Sequence, residues 1–537
     1  MKYSTTLILI IAYLAINLTQ QSESAKILAI FPFPGPSQYI LVKPYLKTLA
    51  ARGHELTVLN AFPSKDNGKN YRDVPIMEAH EIQKCECELF DKCCRGNLLA
   101  FDLDYMQGAV IKRNVWSDLT FTAEFFYNVT RSVLRCPEVQ ELLKNESFDL
   151  AIIEAINAEA WYSFGPHFGM PIIGVSSFGS DLIINDLMGN PAPFAYTPSM
   201  GSAFTEEMTY WERLQNVVIQ LLQLLHYYWI HLPRQEQLKE YYMPHIKQHV
   251  SSLRKNISLF LLNQHFSLSF ARPNVPNMIE VGGFQIPSEP NPLPKDIRAI
   301  IDNSEQDIIY FSMGSNVKSK DFPPKTLQIF NEVFAQLPYT VLWKYENPQL
   351  PGKPSNVFIN PWYPQADILA EKKVKLFISH GGLLSTFEAV HHAKPMLGIP
   401  IFFDQNLNVN NAQKRGFAIK LDIATLTPSL LKESILEMMN NGSYSRKIKE
   451  ISQRYHDKPM KPLDLAIYWT EYILRYGGAQ HIRSPAQRMN ILQSHSIDTI
   501  GVLLGGFLAV LSMTIWGIVK ICRFAFIGGE RKKVKKN

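Results

Sequence analysis

Charged residues are scarce in this sequence, and those in excess are confined to one end. Asp, Glu, Lys and Arg make up 19% of the 537 residues, against 46% hydrophobic residues. This balance is typical of a folded protein with membrane segments, and it excludes a largely disordered chain. The formal net charge of +6 does not indicate nucleic-acid binding, because basic residues crowd into 520–537 and the rest of the chain is nearly balanced. We therefore expect no nucleic-acid partner.

Cysteine is also scarce, and its arrangement does not fit a zinc site. Four of the six cysteines cluster at Cys85, Cys87, Cys93 and Cys94, and Cys136 follows farther along. The cluster lacks two separated Cys-x-x-Cys pairs, and no histidine follows closely. We prefer disulfide bonds, for which these five cysteines leave one thiol unpaired.

The N-terminus has the pattern of a secretory signal peptide. A basic residue precedes an apolar run at 7–16, and the small residues Ser22 and Ser24 suit cleavage before Ala25. The run is shorter than the ~20 residues that a membrane-spanning helix needs, which makes an N-terminal membrane anchor the weaker interpretation. We predict a signal peptide over 1–24.

The C-terminus has the pattern of a membrane anchor with a basic tail. Residues 499–519 include no charged side chain and would cross a bilayer at ~1.5 Å per residue. The positive charge of 520–537 assigns that segment to the cytoplasm, so the body of this single-pass type I protein is expected to be lumenal. Lys533 and Lys535 resemble the dilysine retrieval signal of endoplasmic-reticulum membrane proteins; an ordinary solvated tail is the alternative.

Two further features depend on this lumenal placement. Gly501 and Gly505 form a small-xxx-small pair in the predicted anchor, but glycine is common in membrane helices, so a homo- or hetero-oligomer stays an open question. In a lumenal body, Asn-x-Ser/Thr sequons become usable glycosylation sites. The sequons lie at Asn128, Asn145, Asn256 and Asn441.

The body of the chain is predicted to be α/β, with two doubly wound parallel sheets. An apolar run at 27–31, a turn, a helix and a second run at 56–59 make a βαβ opening, and another unit spans 150–175. Continuous apolar strands indicate a parallel sheet covered on both faces. A proline-dense stretch at 287–294 precedes a second series of strands, predicted at 308–313, 341–344, 357–359, 375–378 and 396–399. Two such sheets facing each other leave a cleft at the carboxyl ends of their strands.

One stretch, 211–232, allows two interpretations. It is rich in Leu, Ile, Trp and Tyr, but charged and amide residues interrupt it too often for a membrane span. It is either an amphipathic helix packed on the core, or an interfacial helix that dips into the membrane near an entrance for the acceptor.

The most informative segment is a glycine turn between a strand and a helix. The strand ends at Ser379, His380-Gly-Gly382 follows, and a helix begins near Ser385. Glycine lets the backbone approach a ligand, and a helix N-terminus favours an anion such as a diphosphate. His380 can donate a hydrogen bond to a phosphate oxygen, while Ser385 and Thr386 either contact the ligand or only cap the helix.

The same segment resembles the signature of the UDP-glycosyltransferase family. It reads Trp-Tyr-Pro-Gln at 362–365, Phe-Ile-Ser-His-Gly-Gly at 377–382, Lys-Pro-Met-Leu-Gly-Ile-Pro at 394–400 and Asp404-Gln405. The match continues in Phe-Pro-Phe-Pro-Gly at 31–35, in the signal peptide and in the single anchor with its basic tail. Insect members of the family are especially similar.

The resemblance implies a role for each donor-site residue. Trp362 would stack on uracil, Gln365 would contact the nucleoside, and Glu388 would accept the ribose hydroxyls. Asp404 and Gln405 would bind the sugar hydroxyls. The remaining contacts, to the diphosphate, would come from Ser315, His380, Gly382 and Ser385, and a tight structural turn is the alternative role of Ser315.

The catalytic positions depart from the family pattern. Family members use a histidine in the first loop to remove the acceptor's proton, and a carboxylate in the next βαβ unit to orient it. This chain has Gln38 and Glu154 there, and an amide is not a base at neutral pH. Three outcomes stay open: Glu154 is itself the base, the acceptor is an amine or acidic phenol that needs little help, or the protein binds without turnover.

The resemblance implies an inverting glycosyltransferase of GT-B architecture. It would move a hexose, glucose in the first instance, from a UDP-sugar to a small lipophilic acceptor, in detoxification or metabolite conjugation. We predict no metal and no other cofactor, because no paired carboxylates lie near the glycine turn. The alternatives are a catalytically weak UDP-sugar-binding protein or partner subunit, and a membrane-anchored carbohydrate receptor, against which the glycine turn argues. The predicted segments are a signal peptide 1–24, an acceptor domain 25–286, a UDP-sugar domain 287–484 with returning helices, a lumenal linker 485–498, a transmembrane helix 499–519 and a cytoplasmic tail 520–537.

Overall fold

A computed structural model describes residues 24–64, 68–76 and 115–534 of the chain. Several predictions fall outside these residues. They are the signal peptide, apart from its last residue, the four clustered cysteines 85–94, and the lysine at 535 of the dilysine pattern.

The first sheet has seven strands, all parallel. Its order is β3-β2-β1-β4-β5-β6-β7, so the winding direction reverses between β1 and β4. The strands of the middle of the sheet are buried on both faces, as continuous apolar runs require. The strands are β1 (Lys26–Phe31), β2 (Glu55–Asn60), β3 (Tyr71–Pro75), β4 (Leu150–Glu154), β5 (Ile172–Ser176), β6 (Ile257–Leu262) and β7 (Met278–Glu280).

The helices of this half cover both faces of the sheet and one edge of the cleft. A short π-helix (Tyr227–His231) joins two of them, α6 and α7, into one continuous rod. The helices are α1 (Pro36–Ala51), α2 (Val115–Arg135), α3 (Pro137–Asn145), α4 (Phe164–Phe168), α5 (Leu182–Met188), α6 (Tyr210–His226), α7 (Leu232–Tyr242) and α8 (Val250–Leu253).

The second sheet has six parallel strands, in the order β10-β9-β8-β11-β12-β13, and reverses between β8 and β11. Its strands are β8 (Ile308–Ser312), β9 (Thr340–Lys344), β10 (Val357–Asn360), β11 (Val374–Ser379), β12 (Met396–Gly398) and β13 (Ala418–Lys420). Its helices are α9 (Lys295–Asn303), α10 (Pro324–Ala335), α11 (Gln365–Ala370), α12 (Leu383–His391), α13 (Gln405–Lys414), α14 (Pro428–Asn440) and α15 (Gly442–His456). The predicted pair of doubly wound parallel sheets is confirmed.

The helix that follows, α16 (Pro462–Arg475), crosses back to the first domain. Its apolar side chains join those of α1 and β6 in one core. The hydroxyl of Tyr45 lies 2.5 Å from Oγ1 of Thr470, and both residues are fully buried. Arg52 donates to both carboxylate oxygens of Glu471, at 2.6 and 3.1 Å. The last helix before the C-terminal segment is thus held on the first domain, although the preceding elements belong to the second.

The C-terminal helix is longer than the predicted span of 499–519. After the short helix α17 (Ile491–Ser494), α18 runs over Ile497–Val534, and its stretch Ile497–Phe524 is long and apolar enough to cross a membrane. The rest of the described chain does not bury this stretch. It is a candidate membrane anchor by length and composition.

Helix α6 has an outward-facing apolar side. Large apolar residues at 211, 214, 218, 221, 225 and 229 form one exposed stripe along α6 and the π-helix, with Trp211 67% and Trp229 75% exposed. The inward side is polar, since Asn216 and Gln220 are buried and bond to backbone carbonyls. Of the two interpretations of 211–232, an amphipathic helix with its apolar side on the core therefore does not fit the structure.

The buried contact between Tyr45 of α1 and Thr470 of α16 predicts that two conservative substitutions differ in their effect on stability. Thr470→Val leaves the buried Tyr45 hydroxyl without its acceptor, and we expect it to lower the free energy of unfolding by ~1–3 kcal/mol. Tyr45→Phe should cost less than about 1 kcal/mol, because Thr470 keeps its bond to the carbonyl of Ala466 at 2.7 Å. Urea unfolding of the detergent-solubilised chain measures both. Equal losses would contradict this assignment.

Candidate active site

The two sheets face each other across a cleft, to which both present the carboxyl ends of their strands. A cavity of about 620 Å³ in this cleft is lined from the first domain by the loops after β4, β5 and β6 and by α2 and α6. From the second domain it is lined by the start of α12 and by 401–408. Ligand-binding crevices of doubly wound sheets lie at this position.

Four of the predicted site residues flank the two points where strand order reverses. Gln38 lies in the first turn of α1, directly after β1, and Glu154 ends the neighbouring strand β4. In the second sheet, Ser315 follows β8 and His380 follows the neighbouring strand β11. Loops on the two sides of such a reversal diverge and leave room for a ligand.

Contacts across the cleft fix the C-terminal end of α13 against the first domain. Lys414 lies 3.3 Å from Oε1 of Glu206 and 3.1 Å from Oε2 of Glu207. Arg415 donates to the carbonyl of Ser269 at 2.6 Å. The helix that begins at Gln405 is therefore held at both domains.

The imidazole of His380 lies between two glycines of adjacent loops. A Cβ atom at Gly314, whose φ is +79°, would come within 2.5 Å of the ring, and one at Gly382 would come equally close to Nε2. Side chains are therefore excluded at both positions. Burial, together with the charge of Lys344, lowers the pKa of His380 to about 4, so the ring is neutral at pH 7. A neutral imidazole donates from one nitrogen only.

Gln365, the last residue of the Trp-Tyr-Pro-Gln motif, is hydrogen-bonded to the helix that follows the glycine turn. Its side-chain amide donates to Oγ of Ser385 at 2.9 Å and to Oε2 of Glu388 at 2.6 Å. Burial raises the pKa of Glu388 to about 7, against the lowering effect of the Gln365 bond. The hydroxyl of Tyr310 donates to Oε1 of Gln365 at 3.3 Å. These contacts hold the carboxylate of Glu388 in α12 next to the amide of Gln365 in α11.

Asp404 is joined to the glycine turn through one amide. Asn408 donates to Oδ2 of Asp404 at 2.7 Å and to the carbonyl of Gly381 at 3.0 Å. Burial raises the pKa of Asp404 to about 6. Gln405 has a structural part as well, since its Oε1 accepts the N–H groups of Ile401 and Phe402, at 2.8 and 3.1 Å.

Trp362 follows the carboxyl end of β10 in the second domain, and its aromatic ring is partly exposed. Its side chain is 53% exposed, and Nζ of Lys344 lies 5.6 Å from its ring centroid. Lys344 and Asn408 were not among the predicted site residues. Lys344 ends β9, so the rule that ligands bind at the carboxyl ends of strands is the signal that would have found it.

Gln38 and Glu154 are both buried and do not form a hydrogen-bonded pair. Within the described chain, Gln38 accepts a bond from Oγ of Ser37 at 2.8 Å, and Glu154 accepts one from Oγ of Ser177 at 3.4 Å. Burial raises the pKa of Glu154 to about 8. The side chain is then mostly protonated at pH 7, and it becomes a base only at higher pH. Neither residue lines the 620 Å³ cavity.

The predicted glycosylation sites and Cys136 do not line the 620 Å³ cavity. The sequons at Asn145, Asn256 and Asn441 are exposed, whereas Asn128 is half-buried within α2. Cys136 forms no disulfide with another described residue, and its Sγ lies 3.0 Å from Oε2 of Glu138. In residues 24–64, 68–76 and 115–534, no three His, Cys, Asp or Glu side chains are grouped to bind a metal ion.

Comparison with known proteins agrees with this geometry. The family model described as UDP-glucoronosyl and UDP-glucosyl transferase matches residues 26–536. A UDP-glucosyltransferase of Dactylopius coccus is 34% identical over 535 residues, which are 99% of this chain and 99% of the relative. The chain belongs to the UDP-glycosyltransferase family. A second relative, a UDP-glucuronosyltransferase of Mus musculus, is 30% identical over 93% of this chain and 92% of that protein.

Solved structures share the architecture of this UDP-glycosyltransferase. A UDP-glucose: anthocyanidin 3-O-glucosyltransferase in complex with UDP has a TM-score of 0.54 and 14% identity, over 84% of this chain and 100% of that chain. Spinosyn forosaminyltransferase has a TM-score of 0.56 and 14% identity. At such identities the likeness shows the fold, which is GT-B. The predicted family, fold class and enzyme class, a glycosyltransferase, are confirmed.

The buried carboxyl of Glu154 should make the stability of this UDP-glycosyltransferase depend on pH. Because its folded pKa is raised to about 8, the folded state holds a proton that the unfolded chain releases near the ordinary pKa of 4.5. The free energy of unfolding therefore falls as pH rises between these values, and the loss is complete above the folded pKa. Glu154→Gln removes this loss, and we expect it to be more stable than the parent by roughly 2–4 kcal/mol at pH 9 and equal at pH 4.

Unfolding curves of both proteins from pH 4 to 9 measure the difference. Glu55→Gln, at the exposed start of β2, is the matched control and should show no such trend. A constant difference between Glu154→Gln and the parent at all pH values would contradict the burial of an ionisable group there.

Proposed function

We propose that this UDP-glycosyltransferase transfers a hexose, glucose in the first instance, from a UDP-sugar to a small lipophilic acceptor. The acceptor oxygen or nitrogen attacks the anomeric carbon, the bond to the β-phosphate oxygen breaks, and UDP leaves, so the configuration at that carbon inverts. Conjugation of toxic compounds or of endogenous metabolites is the role we assign to it. The relatives named above support the choice of donor class, and the Dactylopius coccus protein supports glucose.

The observation that carries the proposal is the convergence of donor-site side chains on one strand-to-helix turn. Gln365, Ser385 and Glu388 are joined by hydrogen bonds, and Asn408 ties Asp404 to the carbonyl of Gly381. In our proposal Trp362 stacks on uracil and Glu388 accepts the ribose hydroxyls. Ser315, His380, Gly382 and the N-terminus of α12 bind the diphosphate, while Asp404 and Gln405 bind the sugar. No metal or other cofactor is assigned a role.

The apolar cavity beside Asp404 is the proposed acceptor site. Phe178, Met200 and Phe402 border it together with polar groups from both domains. A pocket that is mostly apolar and has a few polar groups suits a small lipophilic compound.

We also propose that the catalytic body lies in the lumen of the endoplasmic reticulum. A span within Ile497–Phe524, ending before Lys520, would anchor it, and the basic segment 520–537 would be cytoplasmic. The sequons at Asn145, Asn256 and Asn441 are exposed and would be accessible to glycosylation there.

One observation favours a second candidate function. The amide of Gln38 cannot act as a base, and no hydrogen bond joins it to Glu154 in the described chain. The second candidate is therefore a catalytically weak protein that binds a UDP-sugar, alone or as a partner subunit.

The first experiment measures UDP release from UDP-glucose by the purified full-length protein, with a panel of phenols, amines and aliphatic alcohols. We expect acceptor-dependent release, and a loss of about 10- to 100-fold in Asp404→Ala, because the sugar loses a charged hydrogen-bond acceptor. Asp302→Ala, on the exposed side of α9, is the matched control. No release with any acceptor, while UDP-glucose still binds, would support the second candidate and exclude the first.

A further inference from the structure

The cavity beside Asp404 contains a histidine whose surroundings are those of a general base. His231 is the last residue of the π-helix between α6 and α7, and it lines the cavity. Such π-turns within α-helices frequently lie at functional sites. Glu159, which contacts it, begins a short 3₁₀ helix five residues after Glu154 ends β4.

A buried carboxylate fixes the orientation of this imidazole. Nε2 of His231 lies 2.6 Å from Oε2 of Glu159, and the hydroxyl of Tyr227 donates to Oε1 at 2.5 Å. Both carboxylate oxygens are thus occupied, and the ring can rotate only by breaking a buried hydrogen bond. For the other ring nitrogen, Nδ1, the described chain provides no hydrogen-bond partner, and the residue lines the cavity.

The charge state of Glu159 favours this arrangement. Burial would raise the pKa of its carboxyl, but the charge and hydrogen bond of His231 and the bond from Tyr227 outweigh burial and leave the pKa below its ordinary value. An ionised Glu159 favours the tautomer with hydrogen on Nε2 and a lone pair on Nδ1. It also stabilises the positive charge that forms when Nδ1 accepts a proton.

Other titratable groups at the cavity lack this orientation. Asp181 caps α5 through the N–H of Ile184 at 2.7 Å. His226 contacts Oγ1 of Thr120 through Nε2 at 3.3 Å and has no carboxylate partner among the described residues. Asp118, in the first turn of α2, also lines the cavity and serves as a comparison variant below.

We propose that His231 is the general base of the transfer and that Glu159 is its positioning residue, in place of the pair that Gln38 and Glu154 do not form. The inference rests on the proposed function. Nδ1 of His231 takes the proton of the acceptor hydroxyl as its oxygen bonds to the anomeric carbon of the UDP-sugar. The electron pair of the broken glycosidic bond leaves with UDP, and the imidazolium passes its proton to water after release.

The test compares acceptors of different acidity. General-base help matters for an aliphatic alcohol and not for a nitrophenol that is already ionised at assay pH. We expect His231→Asn to lower kcat/KM about 10²- to 10⁴-fold for the alcohol and less than about threefold for the nitrophenol. Glu159→Gln should show a smaller loss with the same dependence on acceptor acidity, and Asp118→Asn should show no such dependence.

Two outcomes would overturn the assignment. One is an equal loss for both acceptors in His231→Asn, which is the result of a merely structural role, and the other is an unchanged rate with the alcohol. The affinity for UDP-glucose, measured on each variant, shows whether the donor domain is still folded. If the parent protein releases no UDP with either acceptor, the proposed function itself fails, and this inference fails with it.

A separate observation concerns the outer side of the same rod. The exposed apolar stripe of α6 and the π-helix, defined above by six residues from 211 to 229, begins and ends with tryptophan. It extends about 27 Å at ~1.5 Å per residue. Tryptophan at the ends of an apolar face is typical of a helix that lies in the membrane interface.

The stripe is close to the start of the candidate membrane anchor. Tyr228, Lys255 and Met489 border one cavity of about 720 Å³, and Nζ of Lys255 donates to the carbonyl of Met489 at 2.7 Å. Met489 and Leu492, just before α18, are also exposed. We further infer that the stripe lies in the lipid surface from which α18 emerges, so that the inner side of α6, which lines the acceptor cavity, faces away from the membrane.

A fluorophore at the centre of the stripe tests this inference. The full-length protein with Val218→Cys, labelled with an environment-sensitive dye in phosphatidylcholine vesicles, should show blue-shifted emission that brominated lipid quenches. Glu433→Cys, at an exposed position of α14, is the matched control, and the unsubstituted chain measures labelling of native cysteines. Emission like that of the control, or a blue shift without quenching as a second protein copy would produce, overturns the inference.

Discussion

The pairing of parallel strands at two reversal points is the constraint on which the site depends. Ser312 of β8 and Ser379 of β11 are register partners, and so the loops after them must run side by side. That proximity forces Gly314 and Gly382 against the ring of His380. The pairing of β1 with β4 does the same for the first domain, where Glu154 ends one strand and the Gln38 loop follows the other. Backbone hydrogen bonding in the sheets thus sets the positions of the loops, and the side chains adjust within them.

Loss of water at the cleft has a common effect on its ionisable groups. Burial raises the pKa of Glu154, Glu388 and Asp404 and lowers that of His380, so each shift is toward the neutral form. A diphosphate entering this cleft would meet the N-terminus of α12, and it would compete with Glu346 for the ammonium of Lys344, which lies 2.6 Å from Oε1 of Glu346. Glu159 is the exception among the buried carboxyls of the first domain, because His231 and Tyr227 stabilise its charge.

The rod formed by α6, the π-helix and α7 has two sides of opposite polarity. Its inner side supplies amides and histidines to the cavity, while its outer side is apolar and exposed. In a helix packed only against a soluble core the polarity would be the reverse. The polar inner side is stable because its side chains are paired, as with Asn216, which donates to the carbonyls of Phe194 and Thr197.

The order of strands and helices and the glycine turn could be predicted from sequence because they are local. The length of a short apolar run such as 150–154 favours a strand, and His380-Gly-Gly382 is a glycine turn between such a run and a helix. The three-residue strands β7 and β13 have too little pattern to be found in this way, whereas β12, which is as short, was found because its apolar run continues to Ile399. The edge strand β3 was missed because charged residues interrupt it.

By itself the sequence determined the family, the two-sheet architecture and the identity of the groups near the turn. The tertiary structure decided which of them meet. Glu159 and His231 are 72 residues apart, and Tyr45 and Thr470 are 425 apart, so no local pattern could pair them. It also decided which side of α6 faces outward and which carboxyls lose water. Burial and hydrogen-bond partners depend on elements distant in the chain, whereas propensity and periodicity depend only on neighbours.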